Sequence, residues 1–317
     1  MDCMNPMVAV KNCDKYQFVG AVNSLDSLRK RKYLYDTSGK FIVLPCGQCY
    51  ACRIQRSRDW ATRCVLEAKM HEENCFITLT YADEHLPAGL SLCKKDFQDF
   101  IKRLRKNTGA KIRYYMCGEY GEQYQRPHFH ACLFGWKPDD LVLFSQRSGV
   151  SLYRSATLEK AWQYKGFVTV GDVTYDSAAY VARYVLKKIT GANAEEHYAG
   201  RLPEYTNMSL KPGIGQSFFE KYSTDIYSKD FIVIRDNIKC KPPRYFDRIY
   251  DNFYGDGAFE SVKQARIERG VKNFNAHLDE FTCNRIVSRA RLTEIQGKKR
   301  LVRRLEDMQC KLDNTTR

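Results

Sequence analysis

The stretch HFHACLFG, residues 128–135, leaves the backbone little choice. Aromatic, thiol and aliphatic side chains fill it, which suits a buried strand. Residues two apart on a strand point to the same side, so His128 and His130 project from one sheet face. Phe129, Ala131 and Leu133 then face helices on the other. The chain has six histidines, and two of them stand here. Paired imidazoles on one face make half a site for a divalent cation and need a further donor. Glu119 ends the preceding strand, KIRYYMCGEYGE (111–122). If the chain returns antiparallel through 120–127, Glu119 comes beside the histidines, with Glu122 in reserve. The competing reading is a pair of hydrogen-bonded histidines that hold no ion.

Other elements read from pattern. FIVLP (41–45) is a strand ended by Pro45, and residues 53–72 form a basic amphipathic helix. Ile54, Trp60, Ala61, Cys64, Val65 and Ala68 supply much of its apolar side. CFITLTY (75–81) is a strand with Thr78 and Thr80 on one face. A helix over 91–109 takes Ser91 as cap and stops at Gly109. A polar insertion follows the histidine strand, with a helix near 154–164, then a strand at 166–173. TYDSAAYVARYVLKKITG (174–191) is a helix capped by Asp176 and stopped by Gly191. This order predicts an α/β sandwich with a central, mostly antiparallel sheet flanked by helices. No glycine-rich loop follows a strand, which excludes Rossmann and P-loop nucleotide sites.

Tyr180 and Tyr184 lie four apart on the 174–191 helix and stack on one face. Lys187 and Lys188 follow them, and Val181 and Val185 form a separate anchoring stripe. Such a pair alone is usually core packing. Beside a metal strand it suits phosphodiester cleavage. A free phenol, with a pKa of about 10, is a poor nucleophile until a cation stabilises charge on the phosphoryl group. A second tyrosine allows a second cut while the first is loaded.

Composition agrees. Lys and Arg number 52 against 37 acidic residues, a formal charge of +15, which points to a polyanionic partner. No run of 18 apolar residues appears, so no membrane partner is expected. Thirteen cysteines without a secretion signal read as reduced cytosolic thiols. Cys46, Cys49 and Cys52 form C-x2-C-x2-C, a candidate structural Zn2+ site, with an iron–sulfur cluster as the rival. Cys3, Cys13 and Cys64 are candidates for the fourth ligand.

FITLTY (76–81), CGEYGEQYQRPHFHACLFG (117–135) and AAYVARYVLKK (178–188) together resemble the three motifs of the replication initiators of gokushoviruses. These are small single-stranded DNA phages of the Microviridae, and their initiators are a branch of the HUH endonuclease superfamily. PCGQCYACRIQRSRDWATRC (45–64) and KPGIG (211–215) also resemble family segments, so the likeness covers most of residues 40–250. It implies the HUH fold, with the histidine strand in the middle of its sheet. It implies Mg2+ or Mn2+ on His128, His130 and Glu119, and Tyr180 and Tyr184 as alternating nucleophiles. Lys187 would contact phosphate in the Tyr-x-x-Lys position, which favours Tyr184 for the first cut. After Tyr180 that position is Arg183, which keeps the charge but not the geometry. Arg53, Arg56, Arg58, Arg126, Arg183 and Lys188 are the expected DNA contacts.

Three regions are expected: 1–72 with the cysteines and basic helix, a catalytic core over 73–191 that strand 41–45 can join, and a basic, partly helical region over 192–317. Leu301, Leu305, Met308 and Leu312 fall at helical spacing and mark either one packed face of a terminal helix or a basic helix that covers DNA. The expected activity is nicking and joining at a viral origin, in the cytoplasm of a bacterial host. Host polymerase would extend the 3′-OH and a host helicase would unwind, since no helicase motif is present. A relaxase or transposase of the same superfamily is one rival, and a DNA-binding protein with inert histidines is the other.

Overall fold

The computed structural model describes residues 3, 5–12, 15–21, 41–121, 123–147, 149–189, 194–235, 237–255 and 257–278. Cys13, Glu122, Gly191 and the stretch with Leu301, Leu305, Met308 and Leu312 lie outside the described residues.

In chain order the elements begin with β1 (Met7–Asn12), β2 (Lys15–Ala21), β3 (Phe41–Leu44) and α1 (Tyr50–Ala68). Next come β4 (Asn74–Leu79), α2 (Lys94–Thr108), β5 (Arg113–Tyr120) and β6 (Pro127–Phe134). Then follow β7 (Val142–Arg147), β8 (Val150–Arg154), α3 (Ala156–Ala161), β9 (Val168–Gly171) and α4 (Tyr175–Lys187). The chain continues through α5 (Ala194–Tyr198), β10 (Tyr205–Met208) and α6 (Gln216–Lys229). It runs on through β11 (Ile232–Val233), β12 (Lys239–Cys240), α7 (Arg244–Tyr254) and α8 (Ala258–Leu278). Two compact units emerge: residues 1–141 with 155–215, and residues 142–154 with 216–317.

In the first unit the main strands lie in the order β10-β5-β6-β4-β9, each neighbouring pair antiparallel. The histidine strand β6 is the middle one of these five. Alternation sends its residues to two different helical layers. Phe129 packs with Phe97 of α2 and with Trp162 just after α3. On the opposite face Cys132 and Phe134 join Tyr115 and Cys117 of β5 beneath Ala61 and Cys64 of α1 and Ala178, Val181 and Ala182 of α4. The expected α/β sandwich, an HUH-like sheet flanked by helices, is present, and the second unit is largely helical, as expected of the C-terminal region.

Several local expectations change. Strand 41–45 does not join the histidine sheet. It pairs with β1, Met7 opposite Leu44, in a separate sheet of order β2-β1-β3. Its partner β1 lies well upstream, beyond β2, and residues 1–45 carry too mixed a pattern to announce that pairing. Ser91 does not cap α2. The N-cap is Cys93, without a side-chain cap bond, and Ser91 Oγ instead accepts from the Leu202 N–H at 3.0 Å. Gly109 does end that helix, at φ 67°. Asp176 does not cap α4. Thr174 does, in a reciprocal capping box with Ser177. The polar insertion contains the hairpin β7–β8.

α1 also buries charge that its apolar stripe did not foretell. Glu67, 1 % exposed, accepts from Arg113 Nε through Oε1 and from the Gly215 N–H through Oε2 at 2.6 Å. Arg63 donates to the Ile214 carbonyl at 2.9 Å. KPGIG is thus a turn whose backbone is held by two charged side chains of α1.

In the second unit, Phe219 of α6 packs against Phe246 and Phe253 of α7. Arg266 of α8 bridges Asp230 and Asp247, at 2.9 and 2.8 Å.

Candidate active site

The pairing of β5 with β6 sets Glu119 opposite His128 and Cys117 opposite His130. The antiparallel return expected from the sequence therefore brings the carboxylate to the histidines. Glu119 Oε1 accepts a hydrogen bond from His130 Nε2 at 3.1 Å, and both side chains are buried. On the ring's other side, His130 Nδ1 meets Thr78 Oγ1 at 2.9 Å. A hydroxyl can donate or accept, so Thr78 steadies this ring in either tautomer.

His128 is fixed differently. Its Nδ1 lies 2.7 Å from the Arg126 carbonyl, which can only accept, so Nδ1 carries the proton and Nε2 the lone pair. Burial, and then the neighbouring His130, lower its pKa and keep the ring neutral. The turn that supplies this carbonyl closes with Gly121 N–H donating to the same Arg126 oxygen at 2.9 Å. A Cβ on Gly121 would stand 3.1 Å from His128 Cε1, so the ring occupies space that a larger residue would contest.

The two imidazoles lie nearly parallel, with centroids 6.4 Å apart and 7° between planes. They and Glu119 share one sheet face, but they are not drawn together as tightly as a second set. Among the described residues, only Cys3, Cys46, Cys49 and Cys52 bring three or more ligating atoms within 4.8 Å of one another. These four thiols could hold one metal ion. Cys3 is the fourth member, because β1 and β3 pair and carry it back to Cys46. Cys64 is instead buried in the core beside Cys132.

α4 lays both tyrosines on His130. The Tyr180 ring meets it edge-on at 5.0 Å, and the Tyr184 ring lies parallel to it at 5.5 Å. The tyrosine rings are 4.8 Å apart and perpendicular. Phe76 of β4 backs the group, 6.0 Å from His130 and 6.4 Å from Tyr180. Tyr180 is half-buried, whereas Tyr184 is 5 % exposed. Burial, then the charge of Glu119 and the neighbouring Tyr180, push the Tyr184 phenol far above the ordinary tyrosine range.

The expected cations are placed unevenly. Arg183 on α4 is half-buried, with Nε donating to the Ala179 carbonyl at 3.2 Å. Lys188 is exposed, and its carbonyl accepts from Arg53 Nη2 at 2.9 Å. Arg126 pairs with Asp83 and donates to the Tyr81 carbonyl at 2.7 Å, so it braces the 81–83 loop. Arg56 and Arg58 are exposed on α1, which packs beside α4. The side chain of Lys187 lies outside the described residues. The structure adds Phe76, Thr78 and Gly121 to the group around the histidines. Thr78 shares the histidines' face because β4 pairs with β6 and sets it opposite His130, a long-range register that parity within one strand does not reveal.

An antiparallel sheet that presents a His-hydrophobic-His strand to a helix bearing paired tyrosines is an HUH-like arrangement. Known proteins point the same way. Residues 74–189 match the family model described under the heading of replication-associated protein ORF2. The replication-associated protein ORF2 of Spiroplasma virus 4 is 33% identical over 332 aligned positions, covering 94% of this chain and 100% of that protein. The replication-associated protein VP4 of Bdellovibrio phage phiMH2K is 35% identical over 217 residues, 66% of this chain and 67% of its own. ORF4 of Chlamydia phage 1, also a replication-associated protein, is 32% identical over 256 residues, 75% of this chain and 62% of its own. No solved structure matches. The chain belongs to the family of phage replication-associated proteins. No described helix is long and apolar enough to cross a membrane.

Proposed function

We propose that the chain nicks and rejoins single-stranded DNA at the viral origin, the step that opens rolling-circle replication. The observation that carries this is the packing of Tyr180 and Tyr184 on the His130 ring, on the face that also bears Glu119 and His128. The donor set fits a divalent ion. His128 is neutral with its Nε2 lone pair available, His130 is steadied by Thr78, and Glu119 supplies a carboxylate. The carboxylate suits Mg2+ or Mn2+, and the two imidazoles favour Mn2+, the softer of the pair. His128, His130 and Glu119 would hold such an ion, which would supply polarisation of a non-bridging phosphate oxygen.

The remaining work belongs to the tyrosines. A phenol oxygen attacks phosphorus in line as it loses its proton. The bond from phosphorus to the 3′ oxygen breaks, and that oxygen leaves as a 3′-OH after gaining a proton. The 5′ phosphate stays on the tyrosine as a diester. Its bond energy is conserved, so a 3′-OH can later attack it and rejoin the strand without ATP. Lys187 favours Tyr184 for the first cut at the level of sequence. The half-buried Tyr180 is the more accessible phenol, and on that ground we assign it the first cut and Tyr184 the second.

Arg56, Arg58, Arg183, Lys187 and Lys188 would bind phosphates, with Arg53 and Arg126 acting partly through the backbone segments they hold. The partners are the origin DNA, a host polymerase that extends the 3′-OH and a host helicase, in the bacterial cytoplasm. The ion at the four cysteines is Zn2+ in this reading, structural in role.

Incubation with origin-containing single-stranded DNA and Mn2+ or Mg2+ should give a protein–DNA adduct that survives SDS. Retention of DNA with no adduct under any metal would favour a binding protein with inert histidines.

A further inference from the structure

The four-cysteine cluster stands where three parts of the first unit meet. Cys3 precedes β1 and Cys46 follows β3, and the β1–β3 pairing sets Met7 opposite Leu44. Cys49 is the N-cap of α1, and Cys52 lies in its first turn. The geometry is that of a metal knuckle. A tetrahedral zinc with Zn–S bonds of about 2.3 Å separates its sulfurs by about 3.8 Å. Cys3 and Cys49 Sγ are 3.7 Å apart, and all four sulfurs lie within 4.8 Å of one another. The Cys46 N–H donates to Cys3 Sγ and the Cys49 N–H to Cys46 Sγ, each at 3.2 Å, which stabilises thiolate charge.

The next residue after Cys52 reaches the tyrosine helix. Arg53 Nη2 donates to the carbonyl of Lys188, the C-cap residue of α4, at 2.9 Å. The last carbonyls of a helix have no partner within it, so an external donor holds that end. Lys188 follows Tyr184 by one helical turn. Further along, Ala61 and Cys64 of α1 pack with Ala178, Val181 and Ala182 of α4.

We propose that Cys3, Cys46, Cys49 and Cys52 bind one Zn2+ as a brace for the nucleophile helix, acting through α1 and Arg53. Arg53 is a positioning residue in this device. Zinc fixes the first turn of α1, the first turn fixes the guanidinium, and the guanidinium holds the helix end that follows Tyr184. The catalytic consequence rests on the nicking reading, but the brace itself does not.

The test uses the full chain, purified under reducing conditions, as wild type, Cys3→Ser, Arg53→Ala and Arg53→Lys. Elemental analysis should find one zinc per chain in wild type and in both Arg53 variants, with loss in Cys3→Ser. Cobalt in place of zinc should show the absorption of a tetrahedral thiolate site. Hydrogen exchange without DNA should show amides in 184–188 exchanging about tenfold faster in Cys3→Ser and Arg53→Ala, as expected for one lost hydrogen bond. Amides of β4, β5 and β6 should be unchanged, and Arg53→Lys, which keeps a donor, should restore part of the protection. Adduct formation should fall with the helix-end protection across the series. Absence of zinc from reduced wild type overturns the site. Zinc present in wild type with unchanged exchange at 184–188 in Cys3→Ser overturns the brace. If exchange responds as stated while wild type forms no adduct with any metal, the brace stands and the nicking reading falls.

Discussion

The Tyr184 ring lies parallel to the His130 ring at 5.5 Å, and Tyr180 closes the same group edge-on. One phenol is therefore half-buried and the other almost fully covered, although both belong to a single helix face. This asymmetry predicts unequal roles. Tyr180→Phe should lower the first-cut adduct on a single-site substrate on the order of 10³-fold, the scale of a lost nucleophile. Tyr184→Phe should leave that cut within about tenfold and abolish transfer to a second site, and the double variant should neither cut nor transfer. Adduct yields on one-site and two-site oligonucleotides read these outcomes. A reversed pattern would restore the order that Lys187 suggests.

Thr78 holds the ring that Glu119 and Tyr184 both touch. Thr78→Val keeps the shape of the side chain and removes the hydroxyl facing His130 Nδ1. Partners of this kind typically contribute 10- to 100-fold in metal affinity or activity. The Mn2+ concentration giving half-maximal nicking should rise by roughly that factor. An unchanged metal dependence would show that the ring needs no such support.

Glu67 carries a stability prediction independent of chemistry. It is 1 % exposed and bonded to both Arg113 and Gly215. Removing one partner of a buried ion pair leaves the other charge unmatched. Glu67→Ala should therefore cost about 3–5 kcal/mol in urea unfolding. A cost below about 1 kcal/mol would mean that Arg113 finds water instead.

Arg56 and Arg58 are exposed on the helix beside α4. If each neutralises one phosphate, replacing either with Ala should weaken binding evenly across sequences. It should also reduce the slope of log Kd against log salt by about 1. Loss of affinity for the origin alone, with the slope preserved, would instead assign that arginine to base recognition.

The site was legible because strand parity and helical spacing are short-range. His128 with His130, and Tyr180 with Tyr184, are placed by one element each, and Glu119 needs only the antiparallel return of its neighbour. The main strands and helices between 74 and 187 were legible for the same reason, though the β7–β8 hairpin within them was not. What the sequence hid depends on long-range partners. Cys3 joins Cys46 only because β1 pairs with β3, and a strand of mixed polarity gives no warning of that. Glu67 and Arg63 look like the solvent face of a basic helix until KPGIG arrives to accept and donate. The α4 cap shifted from Asp176 to Thr174 because either residue could fill the role, and the capping box with Ser177 decided between them.

The most direct measurement is mass spectrometry of the peptide that carries DNA after cleavage with Mn2+ and protease digestion. The predicted result is a peptide from α4 bearing a 5′-phosphodeoxynucleotide on Tyr180 or Tyr184. DNA attached to a residue outside that helix, or cleavage that leaves no covalent link, would contradict it.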